Sequence, residues 1–346
     1  MVEAVKWGVL GNATIARKCV IPAIRKSGNG DIVALATRSP AQAQQVAADN
    51  HIGHVYGSYE ALLVDPQVDL VYIPLPNHLH HPWTLKALKA GKHVLCEKPL
   101  ACNAREAGEM AAAAKDAGRL LMEAFMYRFH PRSRRIKQLL AEGAIGKPRS
   151  VKSAFCFRMA DSEWSDPPNV RLDPEMGGGA LLDVGCYSVS AARWFLGAEP
   201  VQVQAQAEYD PGGVDVHMVG SLSFGGNGLA SFEASFISAL QQTYCISGSD
   251  GVIELPHNAF VPWEKEAIFY VRGRDQETGQ RHSIPGADEY QLMVEHFADA
   301  VMGRTELNFS ITDSIENMRV LDALAQAART GQTVRLQHSG FYYHRC

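Results

Sequence analysis

A short segment near the start of the chain has the composition of a phosphate-binding loop. Residues 8–16 (GVLGNATIA) are predicted to follow a strand and to open a helix. Small residues at such a turn let backbone N–H groups approach a pyrophosphate at the helix N-terminus. The spacing G-x-A-x-x-A replaces two glycines of the usual G-x-G-x-x-G by alanines, and an ordinary tight turn is the alternative explanation. The residues expected to contact a dinucleotide here are Gly11, Ala13, Thr14 and Ile15.

The end of the second predicted strand carries an arginine where an acidic residue is common. The chain reads Thr37-Arg38-Ser39 at this point. A fold that prefers NAD usually has Asp or Glu here to accept a hydrogen bond from the ribose 2′-hydroxyl. A guanidinium cannot accept that bond, but it can donate two bonds to a 2′-phosphate, and Thr37 and Ser39 add hydroxyl donors. The segment predicts a preference for NADP with NAD use left open; a solvated loop arginine beside a plain helix cap is the alternative.

Two further polar segments follow predicted parallel strands. Residues 75–80 (LPNHLH) come after the strand that ends at Ile73, and residues 96–100 (CEKPL) come at the end of the next strand. Ligands of open parallel sheets gather outside the carboxyl ends of the strands. This rule places Lys98 where a substrate would lie. The alternatives are helix capping for the two histidines and an ordinary solvated surface position for the lysine.

A glycine-rich segment in the second half of the chain precedes a tyrosine. In residues 177–187 (GGGALLDVGCY), three successive glycines allow the backbone to come close to another group. Asp183 and Tyr187 are four residues apart and therefore lie on one face of a helix. They could offer a carboxylate and a phenol to the same ligand. An N-terminal turn followed by a structural tyrosine is the alternative.

The first 125 residues alternate strands and helices in the pattern of a doubly wound parallel sheet. The predicted strands are rich in Val, Ile and Leu at odd and even positions alike, which is typical of strands covered on both faces. The predicted strands are 5–10, 32–36, 68–73, 93–96 and 120–124. Pro82 is predicted to open one of the intervening helices, and Ser58 and Asn103 to cap two others. We therefore predict an N-terminal Rossmann domain over residues 1–125.

After Pro131 the pattern changes to a second domain. Strands are predicted at 149–157, 201–208, 217–224, 228–236 and 242–247, and helices at 132–142, 180–196, 289–302 and 313–329. Strands that follow one another at short spacing predict a mostly antiparallel sheet. The expected fold class is α/β, with an α+β domain over residues 126–346 that contains a mostly antiparallel open sheet.

Length, charge and cysteine usage limit the class of protein. A chain of 346 residues suits two domains, and its formal net charge of −4 does not favour nucleic-acid binding. No apolar run reaches the 18 or so residues of a membrane span, and the N-terminus lacks a signal-peptide pattern. The seven cysteines are scattered without C-x-x-C spacing, which argues against a disulfide framework and a zinc site. We expect a cytoplasmic protein that binds no nucleic acid, membrane or metal.

Taken in order, these segments resemble the Gfo/Idh/MocA oxidoreductase family. The resemblance rests on residues 8–16, P-N-x-x-H at 76–80, E-K-P at 97–99, EAFMYRFHP at 123–131 and the segment at 177–187. It follows nearly the whole chain and is strongest over residues 5–200. Within the family the chain is most similar to NADP-dependent aldose (xylose) dehydrogenases, glucose–fructose oxidoreductase and dimeric dihydrodiol dehydrogenase.

The resemblance implies hydride transfer between NADP and a sugar or polyol carbon. Lys98 and Tyr187 would be the catalytic pair, with Asp183 beside them, and the bond between Lys98 and Pro99 would be cis. An ammonium near a phenol favours its deprotonated form, which would let Tyr187 remove a hydroxyl proton. Further residues implied on the cofactor side are Leu75, Pro76, Asn77, His80, Glu97 and Arg128, and Arg171 is implied in the substrate pocket.

These expectations describe an NADP-dependent aldose 1-dehydrogenase of the D-xylose type. Oxidation of trans-dihydrodiols, or reduction of a keto- or anhydro-sugar, would use the same residues, and a non-catalytic NADP-binding regulator is a more distant alternative. The resemblance also implies a homo-oligomer, a dimer or tetramer paired through the sheet of the second domain. Phe224, Phe232 and Phe236 would supply apolar surface for that pairing unless they belong to the core.

Overall fold

The computed structural model describes residues 4–165 and 169–337, and contacts within the chain divide it into two compact units. The first unit contains the chain up to Phe129 together with Asp288–Ile315. The second contains His130–Ala287 and the chain from Glu316 onward. The chain therefore leaves the first unit after its sheet is complete and returns to it more than 150 residues later.

A six-stranded parallel sheet forms the centre of the first unit. Its strands are β1 (Val5–Leu10), β2 (Gly30–Ala36), β3 (His54–Tyr56), β4 (Leu70–Ile73), β5 (His93–Cys96) and β6 (Leu121–Glu123). They lie in the order β3-β2-β1-β4-β5-β6, and all neighbours pair in parallel. The direction of winding reverses between β1 and β4, which is where open α/β sheets bind their ligands. The predicted Rossmann-type sheet is confirmed.

Helices connect these strands. They are α1 (Ile21–Lys26), α2 (Pro40–Asp49), α3 (Tyr59–Leu63), α4 (Asn77–Lys89) and α5 (Ala104–Ala117). The side chains of Ser58 and Asn103 cap α3 and α5 as predicted. The predicted start of α4 at Pro82 was wrong, because the helix begins at Asn77 and Pro82 lies inside it. The first four N–H groups of a helix have no intrahelical partner. Pro82 is the sixth residue of α4 and lies just beyond these four, so it removes a single backbone hydrogen bond close to the N-terminus of the helix.

A nine-stranded mixed sheet forms the centre of the second unit. The elements of this unit are α6 (Pro131–Ala141), β7 (Pro148–Arg158), α7 (Cys186–Leu196), β8 (Gln202–Tyr209), β9 (Asp215–Ser223), β10 (Leu229–Ser235), β11 (Ile237–Gly248), β12 (Gly251–Leu255), β13 (Ala267–Gly273), β14 (Gln280–Ile284) and β15 (Val334–Arg335). Before β15 the chain forms α8 (Glu289–Val301), which belongs to the first unit, and α9 (Ile311–Thr330), most of which belongs to the second. The strand order is β14-β13-β12-β11-β7-β10-β9-β8-β15. The mostly antiparallel sheet is confirmed, with one parallel pair between β7 and β10. Strands β12 to β14 were not predicted.

One face of this sheet packs against α7 and holds an aromatic core. Phe155 on β7 lies 5.3 Å from Tyr187 on α7, measured between ring centroids. Phe232 pairs with Ser153, two residues before Phe155, so it points to the same covered face. The phenylalanines suggested for an oligomer surface, Phe224, Phe232 and Phe236, are at most 4% exposed. They belong to the core, and the suggestion that they supply surface was wrong.

In the described ranges, no helix is both long and apolar enough to cross a membrane. The same ranges contain no group of three or more His, Cys, Asp or Glu that could hold a metal ion. Their six cysteines are all free thiols, and Cys346 lies outside the described residues.

Candidate functional site

The loop after β1 has the backbone shape that the glycine pattern predicts. Gly11 has a φ of +123°, a conformation that other residues rarely adopt. A Cβ atom at Gly11 would also lie 2.9 Å from a methyl carbon of Leu75. The helix that follows starts at Thr14 and includes a wider π turn at Ala16–Val20 before α1. Its N-terminus therefore opens at the carboxyl end of β1, as a pyrophosphate site requires.

The end of β2 offers a positive charge and no negative one. Thr37 is buried, and its Oγ1 accepts a hydrogen bond from the Ser39 N–H (3.2 Å), which shapes the turn. Arg38 and Ser39 are exposed. Arg38 forms no ion pair with any residue in the described ranges, and no acidic side chain occurs at residues 37–39. The donor set fits a 2′-phosphate better than a 2′-hydroxyl, because a guanidinium can only donate.

His80 connects the loop after β4 to the turn after β5. Its Nε2 lies 2.7 Å from the carbonyl oxygen of Leu75, and its Nδ1 lies 2.9 Å from that of Pro99. A neutral imidazole can donate to only one of these two acceptors. Burial nevertheless lowers the pKa of His80 to about 4, against the opposing effect of both carbonyls. His80 is 1% exposed, so its side chain lies beneath these two loops. Asn77 is the first residue of α4.

The turn that carries Lys98 is held by its neighbours on both sides. The Lys98–Pro99 bond is cis, as the resemblance implied. Glu97 accepts a hydrogen bond from the hydroxyl of Tyr72 at Oε1 (2.6 Å) and from the Lys98 backbone N–H at Oε2 (3.2 Å). Lys98 itself is half-buried at the carboxyl end of β5. The backbone that carries the Lys98 side chain is therefore held in place by the Glu97 carboxylate.

A buried carboxyl at the end of β6 supports the same turn. Oε1 of Glu123 accepts a hydrogen bond from the Leu100 N–H at 2.9 Å. Burial raises the pKa of Glu123 to about 7, although Ser314 and Arg128 act in the opposite direction. The Arg128 guanidinium forms a buried ion pair with Asp313 (2.7 Å). Its contact with a cofactor stays a prediction.

The second unit brings together the residues predicted on the substrate side. Arg171 Nε donates to Asp183 Oδ2 at 2.7 Å, and this carboxylate raises the pKa of Arg171 further. Tyr187 is 5% exposed. Its ring lies 5.3 Å from that of Phe155 and 5.5 Å from that of Phe260, between centroids. The phenol is thus held by aromatic packing on the helix face that also carries Asp183.

Comparison with protein families covers both units. The model described as "Oxidoreductase family, NAD-binding Rossmann fold" matches residues 5–125, and the model of the GFO/IDH/MocA C-terminal domain matches residues 133–254. The chain belongs to the Gfo/Idh/MocA family. It is an oxidoreductase of that family, and the resemblance drawn from its motifs is confirmed.

Individual relatives of this family are similar over nearly the full length. D-xylose 1-dehydrogenase (NADP(+)) 2 from Haloferax volcanii is 40% identical over 331 residues, which cover 95% of this chain and 99% of that protein. A trans-1,2-dihydrobenzene-1,2-diol dehydrogenase from Xenopus tropicalis is 34% identical, covering 81% of this chain and 82% of that protein. Among solved structures, a 3-ketoreductase from Actinomadura kijaniata in complex with NADP and TDP-benzene is 30% identical, with a TM-score of 0.87 over 94% of this chain and 98% of that one. An aldose-aldose oxidoreductase from Caulobacter crescentus, complexed with glycerol, is 28% identical, with a TM-score of 0.86 over 96% and 100%.

Several side chains that hold the motif residues were missed by sequence reasoning. Tyr72 lies in an apolar strand, where a tyrosine gives no sign of a polar role. Glu123 stands at the first position of the segment EAFMYRFHP, so the motif contained it without indicating its burial. Phe260 is more than 70 residues from Tyr187 in the chain, and no local pattern links the two. Each of these residues contacts a motif residue that is distant in the sequence, Tyr72 and Glu123 by hydrogen bonds and Phe260 by ring packing.

Proposed function

We propose that the protein is an NADP-dependent aldose 1-dehydrogenase of the D-xylose type. The observation that carries the proposal is the 40% identity with the xylose dehydrogenase of Haloferax volcanii over almost the full length of both chains. The motif residues of both units agree with it. Lys98 follows β5 in the first unit, and Asp183, Tyr187 and Arg171 stand on and before α7 in the second.

NADP is the cofactor. The name of the Haloferax volcanii xylose dehydrogenase specifies NADP(+), and the crystal structure of the 3-ketoreductase is a complex with NADP. In this chain, Gly11, Ala13, Thr14 and Ile15 form the loop at the helix N-terminus, and Arg38 with Thr37 and Ser39 would receive the 2′-phosphate. Leu75, Pro76, Asn77 and Glu97 belong to the loops after β4 and β5, and we propose that these loops flank the nicotinamide.

The chain's own groups would handle the proton of the reacting hydroxyl. Bound NADP⁺ supplies the hydride acceptor. We propose that Tyr187 takes the proton from the sugar hydroxyl on the carbon that loses hydride. The ammonium of Lys98 would favour the phenolate form of Tyr187 and would also donate a hydrogen bond to the oxygen of the reacting sugar hydroxyl. Asp183, held by Arg171, would accept hydrogen bonds from neighbouring sugar hydroxyls. Oxidation at C1 of a cyclic aldose in this way yields a lactone.

We expect the Arg38→Ala variant to lose affinity for NADP selectively. A hydrogen bond to a charged group contributes about 1.5–3 kcal/mol, so the dissociation constant for NADP should rise roughly 10- to 150-fold while that for NAD barely moves. Titration of the purified variant with each cofactor measures both values. Arg105→Ala, at an exposed arginine on α5 of the same unit, serves as the control. Equal losses for both cofactors would rule out the 2′-phosphate contact.

We expect D-xylose or a related aldose to reduce NADP⁺ in a panel of sugars and diols. The lactone that forms should acidify an unbuffered medium as it hydrolyses, which separates C1 oxidation from oxidation at other carbons. Activity confined to aromatic trans-dihydrodiols would favour the second candidate, the activity named for the 34% identical Xenopus relative. Reduction of keto- or anhydro-sugars alone would favour a reductase. Cofactor binding without any turnover would favour a regulator.

Two further properties stay predictions. Pairing into a dimer or tetramer through the uncovered face of the second unit's sheet is implied by the family resemblance, and the buried phenylalanines make no contribution to it. A cytoplasmic location is expected from the scattered free cysteines.

A further inference from the structure

A carboxylate from the sheet binds the start of the helical segment that carries Asp183 and Tyr187. Asp215 is the first residue of β9, and its Oδ2 accepts a hydrogen bond from the backbone N–H of Leu181 at 2.7 Å. Residues 181–196 are helical without interruption, so Asp215 satisfies an N–H group that has no partner within the helix.

Two of the three glycines before this segment are explained by the same arrangement. Gly179 has a φ of +120°, and a Cβ atom there would overlap with Oδ1 of Asp215. A Cβ atom at Gly178 would lie 2.5 Å from the carbonyl oxygen of Arg171. Glycine is therefore required so that the chain can close onto Asp215 on one side and onto the turn of Arg171 on the other.

The contacts continue from the glycines to the proposed catalytic residues. The carbonyl oxygen of Gly179 accepts a hydrogen bond from the Asp183 N–H at 3.0 Å. Arg171, whose carbonyl oxygen accepts from the Gly179 N–H at 2.9 Å, donates through its side chain to Asp183. Tyr187 follows one turn later on the same helix face. A shift at the Asp215 contact would therefore move both side chains.

We propose that Asp215 is a positioning residue, whose carboxylate fixes the start of the helical segment and so sets the placement of Asp183 and Tyr187. This inference rests on the proposed function of those two residues. Asp215 binds the Leu181 N–H, so it acts on them through the backbone of residues 179–183. Small displacements of catalytic groups are costly, since about 1 Å can reduce a rate 100-fold.

The charge of Asp215 makes this role depend on pH. The charged or titratable groups that face it are Arg329 on α9 and Tyr209 on β8. Burial raises the pKa of Asp215 from 3.8 to about 6, with Arg329 and the backbone hydrogen bonds acting in the opposite direction. The carboxylate that binds the Leu181 N–H is thus present above pH 6 and is protonated below it. The folded chain binds this proton more tightly than the unfolded chain, so the contribution of Asp215 to stability falls as pH rises from about 4 to 6.

The test is the Asp215→Asn variant, which has the shape of the protonated acid at every pH. We expect its kcat for the best aldose to be about tenfold below wild type at pH 7.5 and to approach wild type at pH 5, where the wild-type carboxyl is neutral as well. The KM for NADP should not change. Because neutral Asp215 is the form that the fold favours, the variant should melt near the wild-type temperature at pH 7.5.

Asp210→Asn is the matched control. Asp210 lies in the same β8–β9 connection, and its Oδ1 accepts from the Val214 N–H (2.8 Å) rather than from the helical segment. It should keep the wild-type pH profile. A constant ratio of Asp215→Asn to wild-type kcat across pH 5–8 would overturn the proposal even if the wild type oxidises aldoses.

Hydrogen exchange provides a readout that does not need a substrate. At pH 7.5, amides of residues 180–187 should exchange faster in Asp215→Asn than in wild type or in Asp210→Asn. Unchanged exchange in this segment would overturn the proposal. Faster exchange in a protein that oxidises no aldose would support the positioning role of Asp215 and would contradict the proposed function instead.

Discussion

Lys98→Met is expected to lower turnover of the best aldose by about 10²- to 10⁴-fold, the range of general acid–base assistance. Methionine keeps the length and apolar stem of lysine and removes its charge. The backbone of the turn should survive, because Glu97, His80 and Glu123 form hydrogen bonds with its main-chain atoms. Affinity for NADP should therefore stay near the wild-type value. Steady-state kinetics and cofactor titration measure the two quantities separately.

Tyr187→Phe is expected to lose turnover in the same range, since its ring can keep the packing against Phe155 and Phe260. If the lysine and the tyrosine act as one proton-handling unit, the double variant should be little worse than the worse single variant, because effects within a unit are not additive. Lys89→Met, at an exposed position of α4, should behave as wild type. Near-normal turnover by Lys98→Met would remove the central claim of the proposed function. Additive losses would leave both residues in the site but separate their roles.

The sequence predicted the first unit well because its signals are local. Hydrophobic strands, capping residues and glycine turns lie within a few residues of the elements that they define, and Ser58 and Asn103 are examples. The error at Pro82 came from applying a good rule for helix starts to a proline that lies inside the helix. The return of Asp288–Ile315 to this unit could not be predicted, since it depends on contacts such as Arg128 with Asp313.

The second unit was predicted less completely for a related reason. The residues between β12 and β14 include three positive-φ positions that are not glycine, Asn258, Trp263 and Glu264, and such a connection has no simple pattern. The role of Gly179 was also hidden, because its partner Asp215 follows more than 30 residues later. Motif residues could thus be identified from the sequence, whereas the groups that hold them could be identified only from the three-dimensional structure.

Arg128→Met is expected to destabilise the first unit strongly. The guanidinium is 4% exposed and Asp313 is 11% exposed, so the ion pair is buried. The guanidinium also lies 4.7 Å from the ring centroid of Phe309. Removal of one partner of a buried pair leaves an uncompensated charge and costs about 3–5 kcal/mol. For a unit of this size the melting temperature should fall by about 10 °C.

The pH dependence of this loss separates a structural role from a cofactor role. In Arg128→Met the carboxyls of Asp313 and Glu123 lose their neighbouring positive charge. Protonation of these carboxyls should therefore stabilise the variant. Wild-type Glu123 already has a pKa of about 7 rather than 4.5, and without Arg128 that pKa should rise further. The difference in melting temperature between variant and wild type should therefore shrink as pH falls from 8 to 5.

Two further variants complete the experiment. Arg105→Met removes an exposed ion pair with Glu109 on α5, whose side chains are 70% and 44% exposed, and should leave the melting temperature almost unchanged. Arg128→Lys keeps a positive charge near Asp313 and should recover part of the loss. A wild-type melting temperature in Arg128→Met, together with a tenfold weaker affinity for NADP, would contradict the structural role. That result would favour the cofactor contact implied by the family resemblance, because the guanidinium would then matter to the ligand and not to the fold.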